Sequence, residues 1–226
     1  MASPQKLKDQ PETPVRGTHR IEAFSDGFFA IVITLLVLDI RVPELPDNVG
    51  EFSLIAALRE LWPTAAAFTV SFINIYILWV AHHELMRITT RANTLFLYLN
   101  GGLLFGIALM PFSTALLAGH ILGPAASVAA AVYTACLLWV AAFYNLLWRF
   151  LCRHPGRLLP IVTRRDRQRI SRTYAVTLLL YALAFAMSWF MPLPSILITV
   201  ALAVFFAVID RLSGFASEDV AESDAA

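Results

Sequence analysis

Polar side chains that could do chemistry lie inside the most apolar stretches of this chain. Ser25 and Asp26 fall within the apolar run from residue 24 to residue 40, and His82 and His83 end a second run. Serine, aspartate and histidine are the residue types of a hydrolase triad, and a buried aspartate near a histidine can also relay protons. An acid at membrane depth is by default a functional or structural signal.

The spacing of these residues disfavours an enzyme. Ser25 and Asp26 are adjacent, so their side chains point about 100° apart on one helix. No Gly-x-Ser-x-Gly elbow accompanies them. The adjacent pair His82-His83 lacks the i, i+4 spacing of a zinc helix. We therefore expect no catalytic residue, no metal and no cofactor, which leaves a packing clamp or a proton relay as roles for the buried acid.

The composition is that of a polytopic membrane protein. Of the 226 residues 58% are hydrophobic and 15% are charged, whereas a soluble domain carries roughly 25% charged residues. The fold class predicted is all-α, with six transmembrane helices inside residues 19–212. Five of them cover about residues 20–40, 57–83, 92–117 (kinked at Pro111), 124–150 and 170–191. The sixth follows a tight hairpin at Pro192 and Pro194 and ends near Arg211. Polar residues 1–18 and acidic residues 213–226 are predicted to be disordered tails.

Lysine and arginine positions predict the orientation. With the N-terminus inside, 15 of the 17 basic residues fall in inner segments and only Arg41 and Arg59 fall in outer ones. The positive-inside rule then places both termini in the cytoplasm. Eight arginines lie between Arg149 and Arg172. We interpret this cluster as a topology signal that touches lipid headgroups, with no nucleic-acid partner.

The first helix has a narrow apolar face. At about 100° per residue, Gly27, Ile31, Leu35 and Leu38 lie on one side, with Thr34 at the edge. Periodicity alone is also compatible with an ordinary lipid-facing or helix-packing stripe.

Asp26 lies about 140° from Ile31 and should point into neighbouring helices. A buried carboxylate needs hydrogen bonds or a cation. We expect Asp26 to pair with His82 or His83. Ser25 and Asn100 could support this pairing, and Trp79 is a further candidate partner at a similar depth.

The motif Arg20-x-x-x-Phe24-Ser25-Asp26, followed by Gly-Phe-Phe-Ala-Ile-Val-Ile-Thr-Leu-Leu-Val-Leu, resembles the signature of the transmembrane protein 175 family. This family comprises endosomal–lysosomal potassium channels and their prokaryotic relatives. The similarity is dense over residues 20–43 and extends, more loosely, to Trp79, His82, His83 and the six-helix plan. It implies a potassium-permeable channel without a Thr-Val-Gly-Tyr-Gly loop, which this sequence indeed lacks.

The resemblance also implies roles for individual residues. Ile31 corresponds to the narrowest ring of the pore, Leu35 and Leu38 to two further leucine layers, and Thr34 to a threonine linked to ion selectivity. The remaining motif residues would hold the pore helix in position: Arg20, Phe24, Ser25, Asp26, Trp79, His82, His83 and Asn100. A single motif copy implies a homotetramer in the prokaryotic cell membrane, in contact with lipid and conducting monovalent cations.

Some alternatives remain open from the sequence. Asp39, at the outer end of the first helix, either concentrates cations or is an ordinary solvated helix end. A proton-coupled secondary transporter could use Asp26 and the two histidines, although the chain lacks the inverted repeats and broken helix pairs typical of that class. A non-conducting scaffold would need only packing.

Overall fold

The computed structural model describes residues 16–43 and 51–205, and within them the chain is mainly helical. The predicted all-α class is confirmed. The helices are α1 (Arg16–Leu35), α2 (Glu51–Glu60), α3 (Trp62–Arg87), α4 (Thr94–Ala108), α5 (Met110–His120), α6 (Ala126–Arg153), α7 (Arg164–Ser188) and α8 (Pro192–Phe205). Short 3-10 helices follow α1 at Leu36–Asp39 and α6 at Pro155–Arg157.

Five helical stretches in the described ranges are long and apolar enough to cross a membrane. They are Thr18–Asp39, Trp62–Arg87, Thr94–His120, Ala126–Arg153 and Arg164–Ser188. The sixth predicted helix corresponds to α8, a shorter apolar helix that extends to the last described residue. Of the predicted tails, residues 1–15 and 213–226 lie outside the described residues.

Proline explains two departures from uninterrupted helices. The second predicted helix, expected from about residue 57, divides into α2 and α3 because Pro63 stands in the first turn of α3 and has no backbone N–H to continue an incoming helix. The third span is interrupted at Leu109, between α4 and α5, with Pro111 in the first turn of α5. The predicted kink at Pro111 therefore takes the form of a break two residues earlier.

The start of α7 lies six residues before the predicted one, because a capping box defines it. The Thr163 hydroxyl accepts a hydrogen bond from the Asp166 backbone N–H at 3.2 Å, and the Asp166 carboxylate accepts one from the Thr163 N–H at 2.9 Å. These reciprocal bonds satisfy two N–H groups that a helix start leaves free. The first turns of α7 are therefore helical although their residues are polar.

Replacing Thr163 with alanine should lower the free energy of unfolding by about 1 kcal/mol, because it removes an N-cap. Thermal unfolding of the purified protein in detergent measures the change. Thr177→Ala is the matched control, because the Thr177 hydroxyl donates only to the Thr173 carbonyl of its own helix, at 2.8 Å. Equal midpoints for the two variants would contradict a stabilising role of the cap.

Helix α6 lies at the centre of the bundle and packs against α4, α5 and α7. Its fully buried side chains include Tyr133, Leu147 and Trp148. Close approach of α4 depends on Gly106, where an added Cβ would lie 2.8 Å from Val140 Cγ2. Small residues permit such contacts in membrane proteins. Helix α1 packs on the same bundle, against α3 and α4, through one side only.

Candidate functional site

Helix α1 presents two different faces. Phe29, Val32 and Leu36 are buried against the rest of the chain. Thr34 is exposed, and Ile31, Leu35 and Leu38 are 60%, 43% and 71% exposed. We call these four residues the α1 stripe. No other part of the described chain covers it, so this face is free for lipid or for another copy of the protein.

The α1 stripe ends in a tighter helix than the sequence predicted. The α-helix stops at Leu35 and continues as a 3-10 helix to Asp39. Residues three apart eclipse each other in a 3-10 helix, so Leu38 lies above Leu35 and stays on the stripe. Asp39 turns to about 160° from Ile31, whereas a uniform α-helix would place it at about 80°.

Asp39, predicted at the outer end of the first helix, is the last residue of this 3-10 helix. Its side chain is half-buried, and its Oδ2 atom is buried without a hydrogen-bond partner among the described residues. The additional rotation of the 3-10 turn, which a uniform α-helical wheel leaves out, carries the carboxylate away from the stripe. The half-buried carboxylate differs from an ordinary solvated helix end, and its role in concentrating cations stays a prediction.

Thr34 is the only residue of the α1 stripe with a polar side chain. Its hydroxyl donates a hydrogen bond to the Ile31 carbonyl at 2.8 Å. Because the hydrogen is used inside the helix, the oxygen lone pairs point outward and can accept a bond or contact a cation. The carbonyl of Ile31 is correspondingly engaged and less free to face the same side.

Asp26 bonds to Trp79, which corrects the predicted pairing with a histidine. The Trp79 indole N–H donates to Asp26 Oδ1 at 2.8 Å and joins α1 to α3. Trp79 also packs on His83, with ring centroids 6.0 Å apart. The carboxylate is thus held by a neutral donor that is apolar over most of its surface, which suits a site at membrane depth.

His82, Asn100 and Ser25 form a second, fully buried connection. Asn100 Nδ2 donates to the Ser25 hydroxyl at 3.0 Å, and Asn100 Oδ1 lies 2.8 Å from His82 Nε2. Since the amide oxygen can only accept, His82 Nε2 is the donor. One asparagine on α4 therefore links α1 to α3. The sequence predicted these residues at one depth but assigned His82 to the wrong partner.

Glu22 is a residue that the sequence analysis missed. Its Oε1 atom lies 3.3 Å from His83 Nδ1. The side-chain ligand atoms of Glu22, Asp26 and His83 all lie within 4.8 Å of one another. The signal was the i, i+4 spacing of Glu22 and Asp26, which places both carboxylates on one face of α1, opposite the similarly spaced Trp79 and His83.

Arg20 and Phe24 are not part of these contacts. Both side chains are exposed, and Phe24 is 65% exposed with its ring 6.3 Å from that of Phe28. In the described part of the chain Arg20 has no carboxylate within ion-pair distance. The motif therefore divides into Ser25 and Asp26, which face the chain's own helices, and Arg20 and Phe24, which face away from them.

Comparisons with known proteins agree with this architecture. The family model described as endosomal/lysosomal potassium channel TMEM175 matches residues 20–111. A potassium channel of Chamaesiphon minutus is 40% identical over 193 residues, which are 84% of this chain and 94% of the relative. A potassium channel of Streptomyces collinus is 44% identical over 135 residues, covering 59% of this chain and 64% of the relative.

The matches to vertebrate relatives cover a shorter part of this chain. The human endosomal/lysosomal proton channel TMEM175 is 48% identical over 96 residues, which are 37% of this chain and 19% of the human protein. The match to the family model, at residues 20–111, includes α1.

Solved structures match over most of the chain. The crystal structure of a lysosomal potassium-selective channel TMEM175 homologue from Chamaesiphon minutus superposes with a TM-score of 0.75 at 40% identity, covering 84% of this chain and 96% of that one. A variant of the potassium channel MtTMEM175 shares the fold, with a TM-score of 0.58 at 18% identity and coverage of 93% and 98%. On this sequence identity, coverage and fold, the chain belongs to the TMEM175 family and is a multi-pass membrane protein.

Proposed function

We propose that this protein is a potassium-permeable cation channel of the cell membrane, in which four copies of α1 surround the pore. The observation that carries the proposal is the α1 stripe. One side of α1 is packed into the chain, while Ile31, Thr34, Leu35 and Leu38 remain uncovered on the other. Closed symmetry around a central axis would bring identical stripes together.

In this arrangement Ile31, Leu35 and Leu38 form stacked apolar rings. A narrow apolar constriction excludes ions because water leaves it easily, and widening restores conduction. The rings therefore act as a hydrophobic gate. The relatives from Chamaesiphon and Streptomyces, which are named potassium channels, support the same class of function.

Ring-forming oxygens would come from Thr34. The hydroxyl hydrogen is occupied by the Ile31 carbonyl, so each Thr34 offers lone pairs on the exposed side of α1. Four such oxygens replace part of the hydration shell of a passing cation. Potassium loses its shell at lower cost than sodium, so a modest preference for potassium follows.

Polar contacts at the other side of α1 keep the pore helix in place. Asp26 is bonded to Trp79, and Ser25 is bonded to Asn100. Neither bond joins Asp26 directly to a histidine, although the ligand atoms of Asp26, Glu22 and His83 lie within 4.8 Å of one another. Gate movement then requires α1 to shift against α3 and α4, or to carry these contacts with it.

Reconstitution into vesicles or planar bilayers tests the function. We expect current without a second substrate, with a reversal potential that follows the potassium gradient when sodium is on the opposite side. Because the vertebrate relatives are named proton channels, the same bilayer should also be given a pH gradient with symmetrical potassium. Saturating flux coupled to protons would indicate a transporter, and absence of current would indicate a scaffold.

Thr34 gives a more specific prediction. Thr34→Ala should reduce the permeability ratio of potassium to sodium by at least about threefold, because it removes the hydroxyl oxygens from the ring. Thr34→Ser keeps the hydroxyl and should keep the ratio near that of the native protein. Reversal potentials under potassium–sodium gradients measure both. Equal ratios for the alanine and serine variants would show that selectivity arises elsewhere.

A further inference from the structure

Two arginines of the basic cluster differ from the other six. Among the eight arginines between residues 149 and 172, six are exposed, whereas Arg157 and Arg167 are half-buried. Arg157 Nη1 and Arg167 Nε are buried and have no hydrogen-bond partner among the described residues. A buried, unpaired guanidinium nitrogen is costly, so these two half-buried charged groups are suited to bind an anion through their accessible nitrogens.

Both arginines line cavities at the same end of the bundle. Arg167 lines a cavity of about 970 Å³ between the first turns of α1, the α3–α4 connection and the α6–α7 connection. An adjoining cavity of about 480 Å³ is lined by Arg157 and His154. The two share Arg91, Pro155 and Gly156. We call them together the arginine pocket.

The arginine pocket has an excess of positive charge. Glu22, on its α1 wall, lies beside His83, and Arg87 pairs with Glu84 at 2.6 Å. Arg91, Arg157 and Arg167 have no carboxylate within ion-pair distance in the described ranges. Three guanidinium groups therefore remain available to an anion.

Backbone bonds preform the pocket. The Thr90 N–H donates to the Arg157 carbonyl at 2.7 Å, and the Leu159 N–H donates to the Ile88 carbonyl at 3.0 Å. The Arg157 guanidinium also lies 5.0 Å from the centre of the Phe150 ring, within cation–π distance. The two connections are thus joined, so binding requires little ordering of the loops.

We propose that the arginine pocket binds a phosphate group, supplied by the headgroup of an anionic phospholipid. Arginine matches phosphate through paired, charge-assisted hydrogen bonds. The pocket lies where the spans α3 and α6 end and α7 begins, which is the depth of lipid headgroups. Its volume exceeds that of a bare phosphate, and its apolar wall, which includes Leu158, Leu159 and Val162, suits a glycerol ester.

The occupant would also contact the pore helix of the proposed channel. Thr18 and His19 belong to α1 and line the larger cavity. A bound headgroup would therefore join the start of α1 to the α3–α4 and α6–α7 connections. Phosphate binding itself does not depend on the channel proposal, and it can be measured without current.

Calorimetric titration of the delipidated full-length protein in detergent tests the site. Dioctanoyl phosphatidylglycerol is the anionic probe, and dioctanoyl phosphatidylcholine, with a compensating ammonium group, is the comparison. We expect saturable binding of the anionic lipid alone. Arg157→Gln and Arg167→Gln should each weaken it by at least about tenfold. Glycerol phosphate, as a soluble source of the same group, is titrated in parallel.

Matched control variants distinguish binding in the arginine pocket from general attraction to surface charge. Arg153→Gln and Arg172→Gln remove the same charge at exposed positions on α6 and α7 that do not line the pocket. They should change the affinity by less than about twofold. Equal losses in all four variants would overturn the proposal in favour of diffuse attraction. Equally tight binding of glycerol phosphate would overturn the lipid source, and thermal unfolding confirms that each variant is folded.

Discussion

Asparagine at position 31 should raise the resting potassium current of the reconstituted protein by at least about tenfold. Ile31 is the exposed isoleucine of the α1 stripe and, in the proposed tetramer, contributes one side chain to the narrowest apolar ring. Asparagine supplies amide groups that bond to water, so four of them keep the constriction hydrated. The cost of moving an ion through it then falls, and the preference for potassium over sodium should change as well.

Single-channel and macroscopic currents in bilayers measure the effect of Ile31→Asn. Leu179→Asn is the matched control, because Leu179 is 69% exposed on α7 and lies outside the α1 stripe. Its current should match that of the native protein. Ile31→Leu, which keeps an apolar ring, should retain a low resting current. If Ile31→Asn and Leu179→Asn give the same current, Ile31 faces lipid and the pore lies elsewhere.

Helix positions were predictable because hydropathy alone specifies segments that must cross a bilayer. Their ends were less predictable, because polar signals control them. The start of α7 was placed too late since Arg164–Arg169 is highly polar, although Thr163-x-x-Asp166 is a capping sequence. The change to a 3-10 helix after Leu35 has no comparable sequence signal, so a uniform wheel misplaced Asp39.

The sequence predicted which residues lie at the same membrane depth as Asp26, but not which of them contacts it. Trp79, His82 and His83 all lie near Asp26 in depth, and depth cannot choose among them. Helical spacing could have done so. Trp79 and His83 are four residues apart and share one face of α3, opposite Glu22 and Asp26.

Helical spacing also explains the contact made by the neighbouring face of α3, which carries His82. His82 lies about 60° from Trp79 on α3 and contacts the neighbouring face of α1. There its ring lies 5.5 Å from that of Phe29, and Asn100 links it to Ser25. Ser25 and Phe29 are themselves four residues apart. Residues four apart share one helix face, so this spacing predicts which residues of a motif contact a neighbouring helix.

Asn100→Ala should destabilise the protein by about 2 kcal/mol or more, because it leaves two buried groups without partners. Ser25 and His82 are fully buried, and both bond to the Asn100 amide. In the described part of the chain His82 Nδ1 already lacks a partner, so the ring would lose its remaining hydrogen bond. Equilibrium unfolding in mixed micelles measures the change.

Ser25→Ala and the double variant complete a thermodynamic cycle that isolates the contact between α1 and α4. The single Ser25 variant should cost less than Asn100→Ala, since His82 keeps its partner. The double variant should be less destabilised than the sum of the two, by about 0.5–3 kcal/mol, because the bond is lost only once. Asn93→Ala, at the N-cap of the same helix, should cost about 1 kcal/mol and show no coupling to Ser25→Ala.

Measurements of ion preference distinguish residues that hold the pore helix in position from residues that line the pore. Asn100 and Ser25 lie on the packed side of α1, away from the stripe, so their variants should lose folded protein or alter the fraction of open channels. The potassium-to-sodium permeability ratio of the channels that remain should match that of the native protein. A changed ratio, with additive unfolding energies, would mean that this contact belongs to the permeation pathway instead of holding the helix that lines it.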